Sequence, residues 1–219
     1  MLLYFIWEFL TDIWNDITIS ISDSKYYKLK ELQRRKFYQS VTADDLNGLS
    51  DMELFAALWH QLGVELRMVQ ITSVSELEAF NQVQKAYWVA NAYEQRNYRG
   101  GIFEYFLSKY RYTAQYLSVA LNLIGAVDHL RLFQDFVERN GIDLRDISEF
   151  ELKGLKRKEK VRRLEELRRK YGAEDFDNEY RTLEPIENYL IAYVRKNTDT
   201  ILERSETVVE NNVRKRSKH

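Results

Sequence analysis

A single proline, Pro185, and eight glycines are all that interrupt the 219 residues of this chain. β-Sheets need frequent turns, and turns draw on Gly and Pro, so this scarcity favours helices joined by short loops. Aromatic residues make up 14% of the chain, which exceeds what a disordered segment carries and is enough for a substantial core. The sequence therefore predicts an all-α protein with a single compact multi-helix domain.

The composition divides the chain into three parts. Residues 1–45 are predicted to form an N-terminal helical appendage, because the first helix is amphipathic with an acidic polar face. That helix docks either on the protein's own core or on a partner. Residues 46–202 form the all-helical domain, with a charged, protruding helical insertion at about 150–171. The insertion has a narrow apolar stripe made of Val161, Leu164, Leu167 and Tyr171. Residues 203–219 are expected to form a flexible basic tail.

The apolar start of the chain does not resemble a targeting segment. It lacks a basic n-region and a cleavage site, and it is shorter than the ~20 apolar residues that span a bilayer. Cysteine is absent, so the chain has neither disulfides nor thiolate metal ligands, which fits a reducing compartment. We therefore expect a cytoplasmic protein without a membrane span.

Capping patterns predict where the central helices begin and end. Ser50 with Glu53, and Ser73 with Glu76, have the spacing of capping boxes. The second pattern predicts one helix from Ser73 to about Tyr98, ended by a Gly-Gly pair. Later in the chain, Gly125 is predicted to stop one helix, Asn140-Gly141 to close the next, and Pro185 to stand at the first position of another.

The sequence predicts no catalytic, cofactor-binding or metal-binding residues. Gly100-Gly101 lacks the Lys-Ser/Thr of a phosphate loop, so a tight helix–helix turn is favoured. Glu94 and Glu104 flank this turn without a nucleophile, which favours capping or ion pairing over acid–base chemistry. Histidine occurs at three positions, none spaced as a metal site: His60, His129 and His219.

Two kinds of binding surface are predicted instead. An aromatic band between residues 87 and 116 is mostly core by its helical spacing, but its tyrosines and arginines also suit a protein-binding face. The candidate partner-binding residues are Tyr93, Arg96, Tyr98, Arg99, Tyr110, Arg111 and Tyr112. The alternative is a nucleic-acid-binding face made of basic stretches. Its candidate residues are Lys156, Arg157, Lys158, Lys160, Arg162, Arg163, Arg214, Lys215 and Arg216.

Three motifs resemble those of the DNA-mimic-protein family, a set of small bacterial helical domains. The first runs from Tyr87-Trp88 through Glu94 to Arg99-Gly100-Gly101-Ile102-Phe103-Glu104-Tyr105-Phe106. The second is Leu121-Asn122-Leu123-Ile124-Gly125-Ala126. The third runs from Phe176-Asp177-Asn178-Glu179-Tyr180 to Asn197. The resemblance covers about residues 54–202, and it departs at Arg99, where the family favours Asn before the glycine pair.

The resemblance implies an all-helical fold and, in at least one branch, a dimer whose acidic surface imitates DNA and sequesters a DNA-binding regulator. Mimicry needs dense negative charge, whereas this chain has a net charge of -1. The sequence therefore favours a non-enzymatic module that binds another protein as an adaptor or inhibitor. A homodimer, nucleic-acid association and, as the least favoured function, DNA mimicry stay open.

Overall fold

The structure is a computed structural model that describes residues 41–66, 68, 71–152 and 154–203. The chain divides into two compact units, Met1–Val41 and Thr42–His219, and all the described helices belong to the second. The predicted appendage at 1–45 therefore lies almost wholly outside the described residues, and so does the predicted tail beyond Glu203.

The described part of the chain is built from helices and contains no β-strand, so the all-α prediction is confirmed. A π-helix covers Trp59–Glu65, and 3-10 helices cover Arg111–Thr113 and Ser148–Phe150. None of the described helices is both long and apolar enough to cross a lipid bilayer. Eleven described α-helices, labelled α1 to α11 in chain order, span Ala43–Gly48, Asp51–Leu58, Val74–Leu77, Gln82–Gly100, Ile102–Leu107, Ala114–Ile124, Val127–Arg139, Arg157–Tyr171, Ala173–Tyr180, Ile186–Lys196 and Thr198–Leu202.

Helix α4 is the centre of the core. Every residue from Ala86 to Tyr93 is buried, and α4 packs most extensively against α5, α6 and α10. The Tyr93 ring meets the rings of Tyr105 and Phe133 edge to face, with centroid distances of 5.3 and 5.9 Å. Such pairs add to the free energy gained by burying apolar area. Much of the aromatic band is therefore core, as its helical spacing predicts.

The segment predicted as one helix from Ser73 to Tyr98 is two helices, so that prediction is wrong. Ser73 Oγ accepts a hydrogen bond from the Glu76 N–H, and α3 begins there as predicted, but it ends after a single turn. A second capping box then starts α4: Asn81 Oδ1 accepts from the Gln84 N–H at 2.9 Å, and Gln84 Oε1 accepts from the Asn81 N–H at 3.3 Å. Asn competes with the helix backbone for these N–H groups, which explains the break.

Other predicted boundaries are confirmed. Helix α2 begins directly after Ser50, whose N–H donates to Glu53 Oε2 at 3.0 Å. Gly125 ends α6 in the left-handed conformation, and α7 ends at Arg139, just before Asn140-Gly141. Pro185, predicted as the first residue of a helix, precedes α10 by one position.

The charged insertion is helical as predicted, over Arg157–Tyr171 (α8). Only the C-terminal half of its predicted apolar stripe is buried: Leu167 and Tyr171 are inside, whereas Val161 is 52% exposed. The Tyr171 ring lies against Phe103 and Phe150. Helix α8 is therefore anchored to the core near its C-terminal end.

The last helices hold the first ones in place. The Arg195 guanidinium on α10 donates to the Leu49 carbonyl at 3.0 Å and to Asp51 Oδ1 at 2.7 Å. Gln84 Nε2 at the start of α4 donates to the Ile201 carbonyl on α11 at 3.0 Å. Residues far apart in sequence therefore complete the same packed unit.

Candidate functional site

A polar cleft of about 430 Å³ lies where α4 ends, between α7, α9 and α10. That volume falls within the range of about 300–1,000 Å³ that is typical of ligand pockets. We call this site the acidic cleft and define it by its lining residues. They are Glu94, Asn97, Tyr98, Gly101, His129, Asp177, Tyr180, Arg181, Leu183, Pro185 and Glu187.

Glu94 provides a partly buried carboxylate to the lining of the cleft. It projects from α4, and its Oε2 accepts a hydrogen bond from the Tyr180 hydroxyl on α9. Burial raises the pKa of the Glu94 carboxyl, and the Tyr180 hydrogen bond opposes this shift only in part. No Lys or Arg among the described residues forms an ion pair with Glu94, so its negative charge is desolvated without compensation.

Asp177 is held beside the backbone where α4 turns into α5. Its Oδ1 accepts a hydrogen bond from the Ile102 N–H at 2.9 Å. Gly101 makes this approach possible, because a Cβ at that position would lie 2.1 Å from Asp177 Oδ2. Gly101 also has a φ of +79°, which other residues rarely adopt. Burial raises the pKa of Asp177, while the Ile102 N–H and the nearby Arg181 and Arg168 lower it.

His129 and Asn97 bring two buried acceptor atoms to the cleft. His129 Nε2 lies 2.7 Å from the Glu184 carbonyl oxygen, which can only accept, so Nε2 carries the proton and Nδ1 is an acceptor. Burial lowers the pKa of His129 and so favours this neutral ring. Asn97 Nδ2 donates to the Tyr93 carbonyl at 2.9 Å, so the remaining polar atom of the amide is its acceptor, Oδ1. Neither His129 Nδ1 nor Asn97 Oδ1 has a hydrogen-bond partner.

The outer surface of the cleft is also acidic. Between Ala173 and Glu187 the chain has one basic residue, Arg181, and six acidic ones. The acidic residues are Glu174, Asp175, Asp177, Glu179, Glu184 and Glu187, all at least partly exposed. At the rim, the Tyr98 side chain is 88% exposed. The cleft is therefore suited to a positively charged, donor-rich group.

The lining of the cleft offers negative charge and hydrogen-bond acceptors. It combines carboxylates, an amide and a neutral imidazole. No group of three or more His, Asp or Glu residues in the described part of the chain could hold a metal ion. The lining groups can contact a ligand through charge and hydrogen bonds.

The predicted partner-binding residues do not form one surface. Tyr93 is fully buried and Tyr110 is 7% exposed, so their assignment to a binding surface is wrong; both rings are part of the core. Arg96 lies over the Tyr110 ring and pairs with Glu104 at 3.2 Å, and Arg111 pairs with Glu151 at 3.1 Å. Tyr112 is partly buried. Only Tyr98 and Arg99 are freely exposed, and only Tyr98 lines the acidic cleft.

Four of the predicted nucleic-acid-binding residues are exposed, and Arg163 is partly buried. Lys156, Lys158, Lys160 and Arg162 are exposed on or next to α8. Arg162 pairs with Glu166 at 3.5 Å, and Arg163 lies 3.6 Å from Glu149 and from Glu166. Arg157 belongs to α8, but its side chain is not among those described. The predicted residues Arg214, Lys215 and Arg216 also lie outside the described residues.

Most of the acidic cleft escapes prediction from the sequence as a site. Glu94 and Glu104 were expected to cap or form ion pairs, and Glu104 does pair with Arg96, whereas Glu94 faces the cleft. Asp177 and Tyr180 are 83 and 86 positions from Glu94, so no local spacing connects them. The one signal is the family resemblance, because Glu94, the glycine pair and the Phe176–Tyr180 run all belong to its motifs.

Fold and cleft together define an all-helical domain with an acidic cleft at the end of α4. A sequence model of the DMP19-like protein family matches residues 78–197, more than half of the chain and all of the acidic cleft. The chain therefore belongs to the DMP19-like protein family, which confirms the DNA-mimic resemblance. No curated protein and no solved structure shows significant similarity to it.

Proposed function

We propose that this protein is a non-enzymatic binding module whose acidic cleft and surrounding carboxylates contact a basic surface of another protein. One observation carries the proposal: Glu94, Asp177 and Glu187 meet in one cleft whose lining has a single basic residue, Arg181. Carboxylates in such excess over cations can contact cations of another molecule.

Membership of the DMP19-like family favours a DNA-binding protein as the partner. Such proteins carry Lys and Arg that normally contact phosphates, and clustered carboxylates can satisfy the same side chains. Between Ala173 and Glu187 the chain has six acidic residues and one basic residue, a local excess of negative charge that the overall net charge of -1 hides. Binding there would occupy the partner's DNA-contacting surface and inhibit it. A homodimer and a cytoplasmic location remain predictions from the sequence.

The test is affinity capture from source-cell lysate treated with nuclease, using two variants that each neutralise three charged residues, of opposite sign. One variant neutralises acidic residues around the cleft (Glu174→Gln, Asp175→Asn, Glu187→Gln), and the other neutralises the exposed face of α8 (Lys158→Gln, Lys160→Gln, Arg162→Gln). We expect a protein partner that survives nuclease, is displaced by duplex DNA, and binds the acidic variant at least about tenfold more weakly. The α8 variant should retain it.

A second function rests on α8, whose exposed lysines and arginines suit phosphate contacts. If nucleic acid is recovered instead, disappears with nuclease and is lost in the α8 variant alone, the protein-binding proposal is wrong. The nucleic-acid association then takes its place. Because both kinds of charged contact weaken with salt, the nuclease and variant arms decide between them rather than the salt dependence alone.

A further inference from the structure

The inner part of the acidic cleft offers hydrogen-bond acceptors in excess of donors. The Tyr180 hydroxyl donates to Glu94, the Asn97 amide to the Tyr93 carbonyl, and His129 Nε2 to the Glu184 carbonyl. The Gly101 N–H donates to the Asn97 carbonyl at 2.9 Å. Apart from Arg181 and the Tyr98 hydroxyl at the rim, each donor atom of the polar lining side chains thus already makes a hydrogen bond.

Several acceptors at the same site have no partner. Asn97 is 6% exposed and His129 is 1% exposed, yet Asn97 Oδ1 and His129 Nδ1 accept no hydrogen bond. Leaving a buried polar atom unsatisfied costs about 1–3 kcal/mol, so such atoms usually have a partner. Glu94 and Asp177 each accept one described hydrogen bond, from the Tyr180 hydroxyl and from the Ile102 N–H, and a carboxylate has the capacity to accept more than one. The missing partner is therefore a group with several donors and a positive charge.

We propose that the acidic cleft is a receptor for an arginine side chain of the protein partner. A guanidinium carries five N–H donors in a planar fork and remains charged when desolvated, whereas an ammonium is a compact, strongly hydrated point charge. Leu183 and Pro185 supply apolar wall for the aliphatic stem, and exposed Tyr98 offers a ring face for the guanidinium plane. The inference rests on the proposed function, because it names the residue by which the partner is recognised.

The cleft is also large enough for an arginine that is part of a polypeptide. Its volume of about 430 Å³ exceeds that of a guanidinium group and admits the stem with part of the flanking backbone. A metal ion is the less suitable occupant, because no described set of three carboxylate or imidazole groups is placed to coordinate one. Burial raises the pKa of Asp177 more than exposed Arg181 at the rim and Arg168 lower it, so these two charges offset the desolvation of the carboxylate only in part.

The inference is tested without any partner, by titrating the purified full-length protein with Nα-acetyl-L-arginine methylamide in a calorimeter and following the amide spectrum. We expect binding that is at least about tenfold weaker in Glu94→Gln and in Asp177→Asn, since each variant loses a charge-assisted hydrogen bond. Both variants keep an oxygen that accepts from Tyr180 or Ile102, and circular dichroism checks that they remain folded. The matched control is Glu179→Gln, an exposed carboxylate of α9 outside the cleft, which should change affinity less than about twofold.

Three results would overturn the inference: no binding of the blocked arginine, equal affinity for the blocked lysine analogue, or the same affinity in Glu94→Gln as in the wild type. Tighter binding of free L-arginine than of the blocked form would identify a free amino acid as the ligand and overturn the partner source. If the blocked arginine does not bind but a protein partner is captured through the acidic residues around the cleft, the arginine-receptor inference is wrong and the proposed function stands. Arginine binding with no partner captured would reject the proposed function and keep the receptor.

Discussion

The acidic cleft and helix α8 are both strongly charged, but water reaches their charges very differently. The lysines and arginines of α8 are mostly exposed, and several pair with glutamates on or beside the same helix. Glu94 and Asp177 in the cleft are partly buried, and burial raises the pKa of both. Solvated charges are screened and bind little individually, whereas a few desolvated ones can dominate recognition. Burial therefore matters more than the number of charges.

The two regions also differ in how they are attached to the core. The cleft is formed by four helices that meet at the end of α4. Helix α8 relies on Leu167, on Tyr171, and on Glu149, which accepts hydrogen bonds from Lys170 and from the Tyr171 hydroxyl. The cleft is thus part of the core packing, while α8 is fixed along one edge.

The largest effect is expected where the cleft depends on a glycine. Gly101→Ala should destabilise the protein by about 3 kcal/mol or more, because the new Cβ collides with the Asp177 carboxylate at a φ that favours glycine. Gly125→Ala is the matched control: its φ is +82°, but the added Cβ meets nothing within 4 Å, so about 1 kcal/mol is expected. Denaturant unfolding measures both values. Equal losses would show that Asp177 is not held tightly against this turn.

The next effect tests the attachment of α8. Leu167→Ala should lower the free energy of unfolding by about 2–3 kcal/mol, since Leu167 is completely buried. Val161→Ala, on the same helix but 52% exposed, should change it by less than about 0.5 kcal/mol. Thermal melts of the two variants give the comparison. A small loss for Leu167→Ala would mean that α8 is not anchored by this edge.

The smallest effect concerns the desolvated charge of Glu94. A carboxyl whose pKa is raised in the folded state stabilises the fold when protonated, and this contribution disappears as pH rises through that raised pKa. Glu94→Gln keeps an acceptor for Tyr180 without the charge, so the variant should be more stable than the wild type at pH 7. The advantage should shrink as the pH falls toward 4 and below.

Urea unfolding of both proteins across this pH range measures the advantage. His129, whose pKa burial lowers, destabilises the fold in acid, but it is present in both proteins and cancels in the difference. A wild type more stable than the variant at pH 7 would contradict the view that the Glu94 charge is uncompensated.

Local signals in the sequence predict much of the fold but little of the site. Capping residues and glycines predict the starts of α2 and α3 and the ends of α6 and α7, because each acts within a few residues of itself. The extra break before α4 was missed because Asn81 and Gln84 form a capping box with amides, a weaker sequence signal than Ser with Glu.

The cleft could not be predicted because its parts are close only after folding. Glu94 reaches Tyr180 across 86 positions, and Ile102 reaches Asp177 across 75. The burial of Tyr93 was missed for a related reason. A tyrosine close to arginines in sequence resembles a binding surface, but nearby residues of a helix can point to different faces. Such placements follow from tertiary packing.

The bonds between Arg195 and the segment around Leu49 have a consequence for biosynthesis. The Arg195 bonds connect groups up to 149 positions apart. Gln84 donates to a carbonyl on α11 that is translated 117 residues after Gln84 itself. Closing such a long loop costs conformational entropy before the contacts it brings together stabilise the chain, and this slows folding. On the ribosome, α1 and the start of α4 emerge early with their binding groups open, and they are sealed only when α11 follows. Until α11 has been translated, the groups that bind it lack these partners in the nascent chain.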